Sequence, residues 1–527
     1  MPAGLCQRGR RRSGVSRTSA AAPRLASCRS TYGFGRCRRC RRRCPLETSS
    51  GMVTASAILA ARERNLTEDG ALHEAVNSSG ETRICVIGAG PCGLTALKNL
   101  LQVGFRNVVC YDESSDIGGN WAYTDDPHRA SVYECSHIIS SRRMSSFADF
   151  PMPEEYPDFP SHRQLLAYFT EYARAFQLEP HIRLGSYVEQ CTLGGDGRWA
   201  VRIITNGETR VELFDSLLVC SGHHREALVP EYPGTFTGKI VHSSAYKRPE
   251  PFRGQRVLVV GAGNSAADIS VDVAHLASRA ALSMREGTYF IPKLMSGKPM
   301  DVLYGSWYGK IPKPLLQSAL KLWLRLVIGK WEEYGLQTPT KAPLAKHPTL
   351  NSSVLDALRD GRLVARRGIE RYDGNIVHFT DGTQEEFDVI IMGTGFRTSF
   401  PFLSERIAGW DMAKTPPLYL KMMHPTIPSL FFIGLFQPIG CIWQLADYQA
   451  RLAALQISGR VRRPSDIDTR IRREVARAHS RSDPSPRHAI EVDYHAFRRE
   501  MMGELAQAKP GCNEMPPTRS GPSCHAE

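Results

Sequence analysis

The chain contains no apolar run approaching the roughly eighteen residues that a membrane-spanning helix needs, so no helical span is expected. Charge of one sign is scarce outside the first fifty residues. Residues 1–50 hold 13 Arg, no Lys and one acid, Glu47, giving 13 − 1 = +12, and the remainder carries 54 − 52 = +2. That nearly neutral body lacks the basic face used to grip a phosphate backbone, and nucleic acid is not an expected partner. The nine cysteines beyond residue 50 follow no framework, and no apolar segment ends in a small-residue cleavage site. Secretion is therefore not expected, and the body reads as a cytoplasmic protein with reduced thiols. Metal-ligand spacing is also missing from the body. In the leader, Cys37, Cys40 and Cys44 with Cys28 could offer thiolates to zinc, but the intervening arginines repel one another and no apolar residues flank them, so no metal site is expected.

What is present fits an ordered protein: 42% hydrophobic and 23% charged residues exclude wholesale disorder, collagen-like repeats and a disulfide-dense miniprotein. Residues 1–79 read as a disordered Arg/Cys-rich leader and linker, with a transit peptide and a start at Met52 as alternatives, and 508–527 as a disordered Pro/Gly/Ser tail. A self-similarity stands out between them. Ile84-Cys-Val-Ile-Gly-Ala-Gly returns as Val257-Leu-Val-Val-Gly-Ala-Gly, which implies two related nucleotide-binding units.

At the first, an apolar strand Ile84–Ile87 runs into Gly88-Ala-Gly90-Pro91-Cys-Gly93 and then a helix through Leu94 to Gln102. In that context Gly88 makes the turn, Gly90 lets backbone approach a pyrophosphate, Gly93 lets helix pack on strand, and the helix start supplies N–H groups to the anion. A second strand, Val108–Tyr111, ends at Asp112 and Glu113, where an acid accepts ribose hydroxyls. At the second unit, Gly261-Ala-Gly263-Asn264-Ser265-Ala266 follows Val257–Val260 and precedes a helix to about Leu276, its last position being the permitted Ala. The strand Ala280–Ser283 then leads to Arg285 instead of an acid. A guanidinium pairs with a ribose 2′-phosphate, so NADPH is expected over NADH, with Glu286 alongside weakening the contrast. Two dinucleotide sites in one chain imply that one cofactor reduces the other, FAD first and nicotinamide second.

Beyond these turns, the chain resembles the flavin-containing monooxygenases over most of residues 83 to 505. Asp116-Ile-Gly118-Gly119-Asn120-Trp121 is similar to the segment that lies against the flavin in that family. Phe236-Thr-Gly238-Lys-Ile-Val-His242-Ser-Ser-Ala-Tyr246 matches its F-x-G-x-x-x-H-x-x-x-Y signature. Asp388 to Phe396 resembles its D-x-x-x-x-A-T-G-Y segment, through Thr394 and Gly395, with Gly393 and Phe396 departing from it, and Phe432-Ile-Gly434-Leu with Gln437 resembles the last flavin-domain stretch. The Tyr246-Lys247 pair favours heteroatom oxygenases over the Baeyer–Villiger relatives, which carry Trp followed by Pro or Asp. The lack of a C-x-x-C in the body disfavours disulfide reductases.

The resemblance implies two Rossmann-like α/β domains: a discontinuous FAD domain at 80–247 and 376–507, with an NADPH domain inserted at 248–375. It implies that NADPH reduces FAD, O2 adds to the reduced ring as a peroxyflavin, and one oxygen passes to a soft nitrogen or sulfur of a small molecule. Ile139 stands where the family places an Asn against the flavin, and Ser140 is a substitute donor; His242 is a weak acid–base candidate and a stronger orienting one. Two alternatives are carried: a ketone-oxidising Baeyer–Villiger type enzyme, and an uncoupled NADPH oxidase or redox sensor. Residues 313–328 read as a helix buried between domains or subunits, with membrane-surface contact as the alternative, and Tyr494–Leu505 as a final amphipathic helix. A monomer or homodimer is expected.

Overall fold

The computed structural model describes residues 81–307, 310–344, 348–411, 414–481 and 489–508, all within the unit Leu66–Glu527. The leader, its cysteine cluster and the tail from 509 lie outside the described residues; Ala508, expected to begin that tail, is buried.

Ten short strands build two parallel sheets. In chain order they are β1 (Ile84–Ile87), β2 (Val108–Tyr111), β3 (Ile182–Arg183), β4 (Ser216–Val219), β5 (Lys239–His242), β6 (Arg256–Val260), β7 (Arg279–Ser283), β8 (Val364–Arg366), β9 (Val389–Met392) and β10 (Leu430–Phe432). The first sheet runs β10-β4-β1-β2-β3 and the second β8-β7-β6-β9-β5. Every pairing in both is parallel. β1, β4 and β9 are buried at every position, as continuous apolar runs covered on both faces must be. This is the doubly wound α/β architecture expected from the sequence.

Helix α1 (Pro91–Val103) begins with proline at its first turn, where the missing N–H has no partner to lose, and stops at Gly104, whose φ of +115° turns its amide back onto Leu100 and Leu101. It packs on helix Ile442–Ile457. Between them lies Lys98, fully buried, whose Nζ is 2.7 Å from both Asp149 and Asp447. A buried lysine shared by two carboxylates ties three separate segments together, and removing one partner would strand a charge. The sequence reading did not identify it. A three-stranded antiparallel sheet (186–193, 199–205, 208–214), also unforeseen, covers one face of the first sheet through Trp199 and Phe214.

The boundaries of the inserted unit differ from expectation. β5 and β9, expected in the flavin-binding part, lie in the second sheet instead: β9 pairs with β6 because its apolar run Val389–Met392 completes the core, and β5 adds beyond β9 as the edge strand. The chain therefore crosses between sheets near residues 220–238 and again at 393–396, instead of at 247 and 376. The two crossings meet: Glu226–Ala227 pairs antiparallel with Phe396–Arg397. Helix α2 (Asn264–Val273) follows β6, starting and ending a little before the expected helix. Helix α3 (Lys313–Ile328) has the expected bounds but is not buried all round. Leu320, Leu324 and Ile328 face the second core, while Leu315, Leu322 and Leu326 are exposed, Leu326 at 77%. The final helix spans Tyr494–Leu505 as expected.

Candidate functional site

Each Gly-rich turn sits at the carboxyl end of the central strand of its sheet. In the first, Gly88 has φ +103°, and a Cβ there would lie 2.7 Å from the Cys220 carbonyl oxygen; at Gly93 it would lie 1.8 Å from the Gly88 oxygen. Only glycine fits at either place. Gly90 and Gly119 face one another: a Cβ on Gly119 would approach the Gly90 Cα to 3.1 Å, so the two glycines leave a cradle walled by backbone. The Gly118 amide donates to the Ala89 carbonyl and fixes that approach. Helix α1 starts at this cradle with no side-chain cap and no acid in its first turn, leaving its positive end open to an anion. Asp112 accepts hydrogen bonds from the Ala89 amide at 2.6 Å and the Ser114 amide at 2.8 Å, so the acid and the turn form one unit. Its neighbour Glu113 is paired with Arg225. The donors and the shape fit a dinucleotide pyrophosphate.

The second turn repeats this with differences. Gly261 has φ +137°, and a Cβ there would lie 2.3 Å from the Gly393 oxygen. Helix α2 starts at Gly263, again without a side-chain cap or an acid in its first turn. Asn264 turns its side chain back into the protein, its Oδ1 accepting from the Leu350 amide at 2.8 Å, while Ser265 is exposed. Arg285, past the end of β7, is exposed, and among the described residues it has no ion-pair partner. A small cavity of about 50 Å³ beside it is lined by Glu286, Tyr289, Leu344 and Thr349. A free guanidinium next to an open helix start fits a phosphorylated ribose. The permitted Ala at 266 and the departure at 393 prove to be one feature: a Cβ on residue 393 would sit 2.7 Å from the Ala266 Cβ, so the methyl at 266 is accommodated by the methyl absent at 393.

The remaining expected residues gather where the chain crosses between sheets. His242 ends β5; its Nε2 is 2.9 Å from the Gly395 carbonyl oxygen and its Nδ1 accepts from the Ser244 amide at 3.2 Å and lies 2.9 Å from the Ser244 hydroxyl. Burial lowers its pKa below the usual histidine range, against the Gly395 hydrogen bond, which raises it. Both ring nitrogens are occupied by protein, which does not suit the acid–base candidacy. Thr394 donates its hydroxyl to the Leu228 carbonyl at 2.5 Å, and Phe396 lies between the His224 and His242 rings. Gln437 reaches His223 at 3.4 Å.

Trp121 meets Trp443 edge-to-face at 6.0 Å, and the Trp443 indole N–H donates to the Ser145 carbonyl at 2.6 Å. Ser140 is buried with its hydroxyl 2.8 Å from that of Ser145, so it is tied into the turn that follows it instead of standing free as a donor. Ile139 beside it is half-buried. The structure thus brings Trp121 and Ser140 together through Trp443, and keeps Asn264 and Arg285 with the second turn. The larger cavity, about 350 Å³ between Gln190–Leu193 and Pro401–Ile407, contains none of these residues.

One group of polar residues beside the second turn escaped the sequence reading. Asp268, on the face of α2 one turn after Asn264, accepts from the Tyr133 hydroxyl at 2.7 Å and the Asn351 amide at 2.5 Å, and burial raises its carboxyl above the usual range. Asp272, one turn further, accepts from the Tyr246 hydroxyl at 2.6 Å. The i, i+4 spacing of two acids was visible in the sequence, but their partners come from segments far away in it.

The comparisons with known proteins agree with this geometry. A profile described as "Flavin-binding monooxygenase-like" matches residues 81–516. The chain is 34% identical to rat "Flavin-containing monooxygenase 5" over 435 residues, which cover 78% of this chain and 80% of that protein. It is 34% identical to rat "Dimethylaniline monooxygenase [N-oxide-forming] 2" over 402 residues, 73% and 75% of the two chains. Among solved structures, the S-allyl-L-cysteine S-oxygenase of Allium sativum superposes with a TM-score of 0.61 at 24% identity, covering 81% of this chain and 89% of that one. The NADP+-bound cyclohexanone monooxygenase of Rhodococcus sp. Phi1 superposes with a TM-score of 0.62 at 16% identity, covering 80% and 97%. At these identities the superpositions speak for the fold alone.

Proposed function

Because the chain belongs to the flavin-binding monooxygenase-like family, we propose that its first Gly-rich turn holds FAD, its second holds NADPH, and oxygen is delivered to a soft nitrogen or sulfur atom of a small molecule. The protein is a flavin-dependent monooxygenase using FAD, NADPH and O2. The observation that carries the order of the two sites is the contrast after their second strands: a carboxylate, Asp112, bonded to the first turn, and a guanidinium, Arg285, exposed beside the second and without an ion-pair partner among the described residues. When bound, FAD accepts hydride from NADPH and activates O2, chemistry no side chain here can supply.

The chain's own residues bind, orient and exclude water. The open starts of α1 and α2 supply backbone N–H groups to the two pyrophosphates through Gly90 and Gly263, with Gly88, Pro91, Gly93 and Gly261 shaping the turns and Ser265 at the rim. Asp112, held on the Ala89 amide, presents its remaining lone pairs to ribose hydroxyls, and Gly119 leaves the space they need. Arg285 pairs with the 2′-phosphate. The edge-to-face pair of Trp121 and Trp443 forms an apolar wall, and Ser140 locks the turn behind Ile139. His242 is a positioning residue: it holds the Gly395 carbonyl and so fixes the crossing that also carries Thr394 and faces Gln437. The name of one relative states N-oxide formation and that of a fold neighbour S-oxygenation, and tertiary amines and thioethers are the substrates we propose here. A reducing, cytoplasmic setting is supported by the seven described cysteines, all unpaired.

The test is rapid anaerobic mixing followed by turnover under isotopically heavy O2. NADPH should bleach the flavin about tenfold faster than NADH at limiting concentration, and Arg285→Ala should abolish the difference. Dimethylaniline or an allyl thioether should acquire one heavy oxygen. If every electron from NADPH emerges as hydrogen peroxide with both probes, oxygen transfer is overturned; equal use of NADH overturns the role of Arg285.

A further inference from the structure

The segment that carries Ile139 and Ser140 belongs in sequence to the first unit, yet the second unit holds it at three points. The Tyr133 hydroxyl donates to Asp268 on α2, the Glu134 amide donates to the Lys247 carbonyl at 2.8 Å, and the Ser141 amide donates to Asp301 at 2.6 Å. Lys247 also donates its Nζ to the Arg129 carbonyl and the Ser131 hydroxyl. Residues 129–141 are thus clamped between the two units.

One of these points connects to the start of α2. Asn264, the first residue of that helix, accepts the Leu350 amide; the next residue, Asn351, donates to Asp268; and Asp268 receives Tyr133 on its other oxygen. Thr349 donates its hydroxyl to the Ala262 carbonyl inside the Gly-rich turn at 2.6 Å. The loop 348–351 therefore bonds to the turn at one end and to the clamp at the other. Asp268 has one carboxylate oxygen for each neighbour, so a shift of the loop changes the anchoring of Tyr133. Tyr133 is buried against the Tyr246 ring, and a displaced hydroxyl there has no access to water as a replacement partner.

We propose that Asp268 is a positioning residue that reports occupancy of the second dinucleotide site to the segment around Ile139, through the chain Asn264, 348–351, Asp268 and Tyr133. This rests on the reading of the second turn as the NADPH site. The bound dinucleotide draws on Ala262 to Asn264, fixes the 348–351 loop, and through Asp268 holds Tyr133, so that the wall beside the flavin is ordered only while NADP+ remains bound. The two-state element is the 133–141 segment, clamped or released, and the ligand biases it through a contiguous set of hydrogen bonds.

Hydrogen exchange of the full-length, FAD-loaded protein tests this, with NADP+ as the probe. In the unaltered protein, saturating NADP+ should slow exchange of the Ile138 and Ser141 amides by about fivefold, the lower end of usual coupling strengths, together with those at the start of α2. In Tyr133→Phe, which removes one hydroxyl and no bulk, NADP+ should still protect α2 but leave 138 and 141 unchanged, and the share of NADPH electrons released as hydrogen peroxide should rise. Asp268→Asn, whose amide offers one acceptor where two are needed, should behave alike and stands in if the first variant misfolds. A purely structural bond would raise exchange equally with and without NADP+. Protection of 138 and 141 by NADP+ that persists in both variants overturns the proposal. No protection of α2 in the unaltered protein overturns the site reading, and the proposal with it, and is separately visible.

Discussion

The two Gly-rich turns are the same device built to different tolerances. In each, the first glycine adopts positive φ, donates its amide to the last residue of the neighbouring strand, Tyr111 or Ser283, and abuts the carbonyl just beyond another strand, Cys220 or Gly393. They part at the third position. At Gly93 a methyl would strike the backbone of its own turn, which has nowhere to move, whereas Ala266 carries its methyl towards Gly393, where the neighbour has given up its own. They part again at the second strand, where Asp112 is bonded into the first turn and Arg285 is exposed, with no ion-pair partner among the described residues. The lesson is that a fingerprint glycine is obligatory where its neighbour is its own backbone, and negotiable where its neighbour is a side-chain position.

The most damaging way to probe this contrast is Gly93→Ala. With a Cβ placed 1.8 Å from a carbonyl oxygen, we expect a loss of about 4 kcal/mol or more and no retained flavin, read from the thermal unfolding midpoint and the flavin-to-protein absorbance ratio. Survival with flavin bound would show that the first turn is as adaptable as the second. Gly393→Ala should cost about 2 kcal/mol by overpacking. Adding Ala266→Gly should recover only part of that loss, since a Cβ at 393 would still lie 3.0 Å from the Cα of residue 266 and glycine in a helix itself costs about 1 kcal/mol. Additive losses in denaturant titrations would refute the compensation. Next, Asp112→Ala leaves the Ala89 amide without its acceptor, and we expect about 1–3 kcal/mol of stability lost together with weaker flavin retention. An unchanged flavin content on dialysis would detach the acid from the first site.

The smallest effect lies where the two units meet. Burial lowers the pKa of Lys247 to about 8, below its ordinary value. A lysine lowered on folding binds fewer protons in the folded chain than in the unfolded one between that pH and its ordinary value. Stability should therefore rise as pH climbs above 8 and level off near the ordinary lysine range. Lys247→Met should flatten that rise. The difference between the two stability curves checks it, since it cancels the tyrosines, whose raised values act in the opposite direction.

Local signals in the sequence were enough for the architecture. β1, β2 and both turns were legible because strand, glycine spacing and helix lie within about thirty residues of one another, and helix α3 because its period is unbroken. The boundaries of the insert were not legible, since β9 declares its sheet only by pairing with β6, and β5 only by pairing with β9, while a strand of four residues suits either sheet. Lys98 with Asp149 and Asp447, and Asp268 with Tyr133 and Asn351, were hidden for the same reason: each is a meeting of residues far apart in the chain. The outward face of α3 is exposed in the single chain, and an apolar residue does not state by itself which side of a helix is covered. For the site, residues at the turns were found where sequence reasoning put them, while Ser140 and His242 turned out to have protein partners that no spacing could announce.

The pairing of Glu226–Ala227 with Phe396–Arg397 has a further consequence. An insertion whose two ends are zipped together is, for its host, no longer than a tight loop. The entropy of closing it is met once, inside the insert, as its own sheet forms, and the host sheet then assembles across only the residues that remain outside it, 220–227 and 396–429. Seen this way, the long excursion of the chain places little topological burden on the first sheet, and the second unit is portable: it could be lifted out between its paired ends and replaced by a short turn without asking β4 and β10 to find each other across a greater distance.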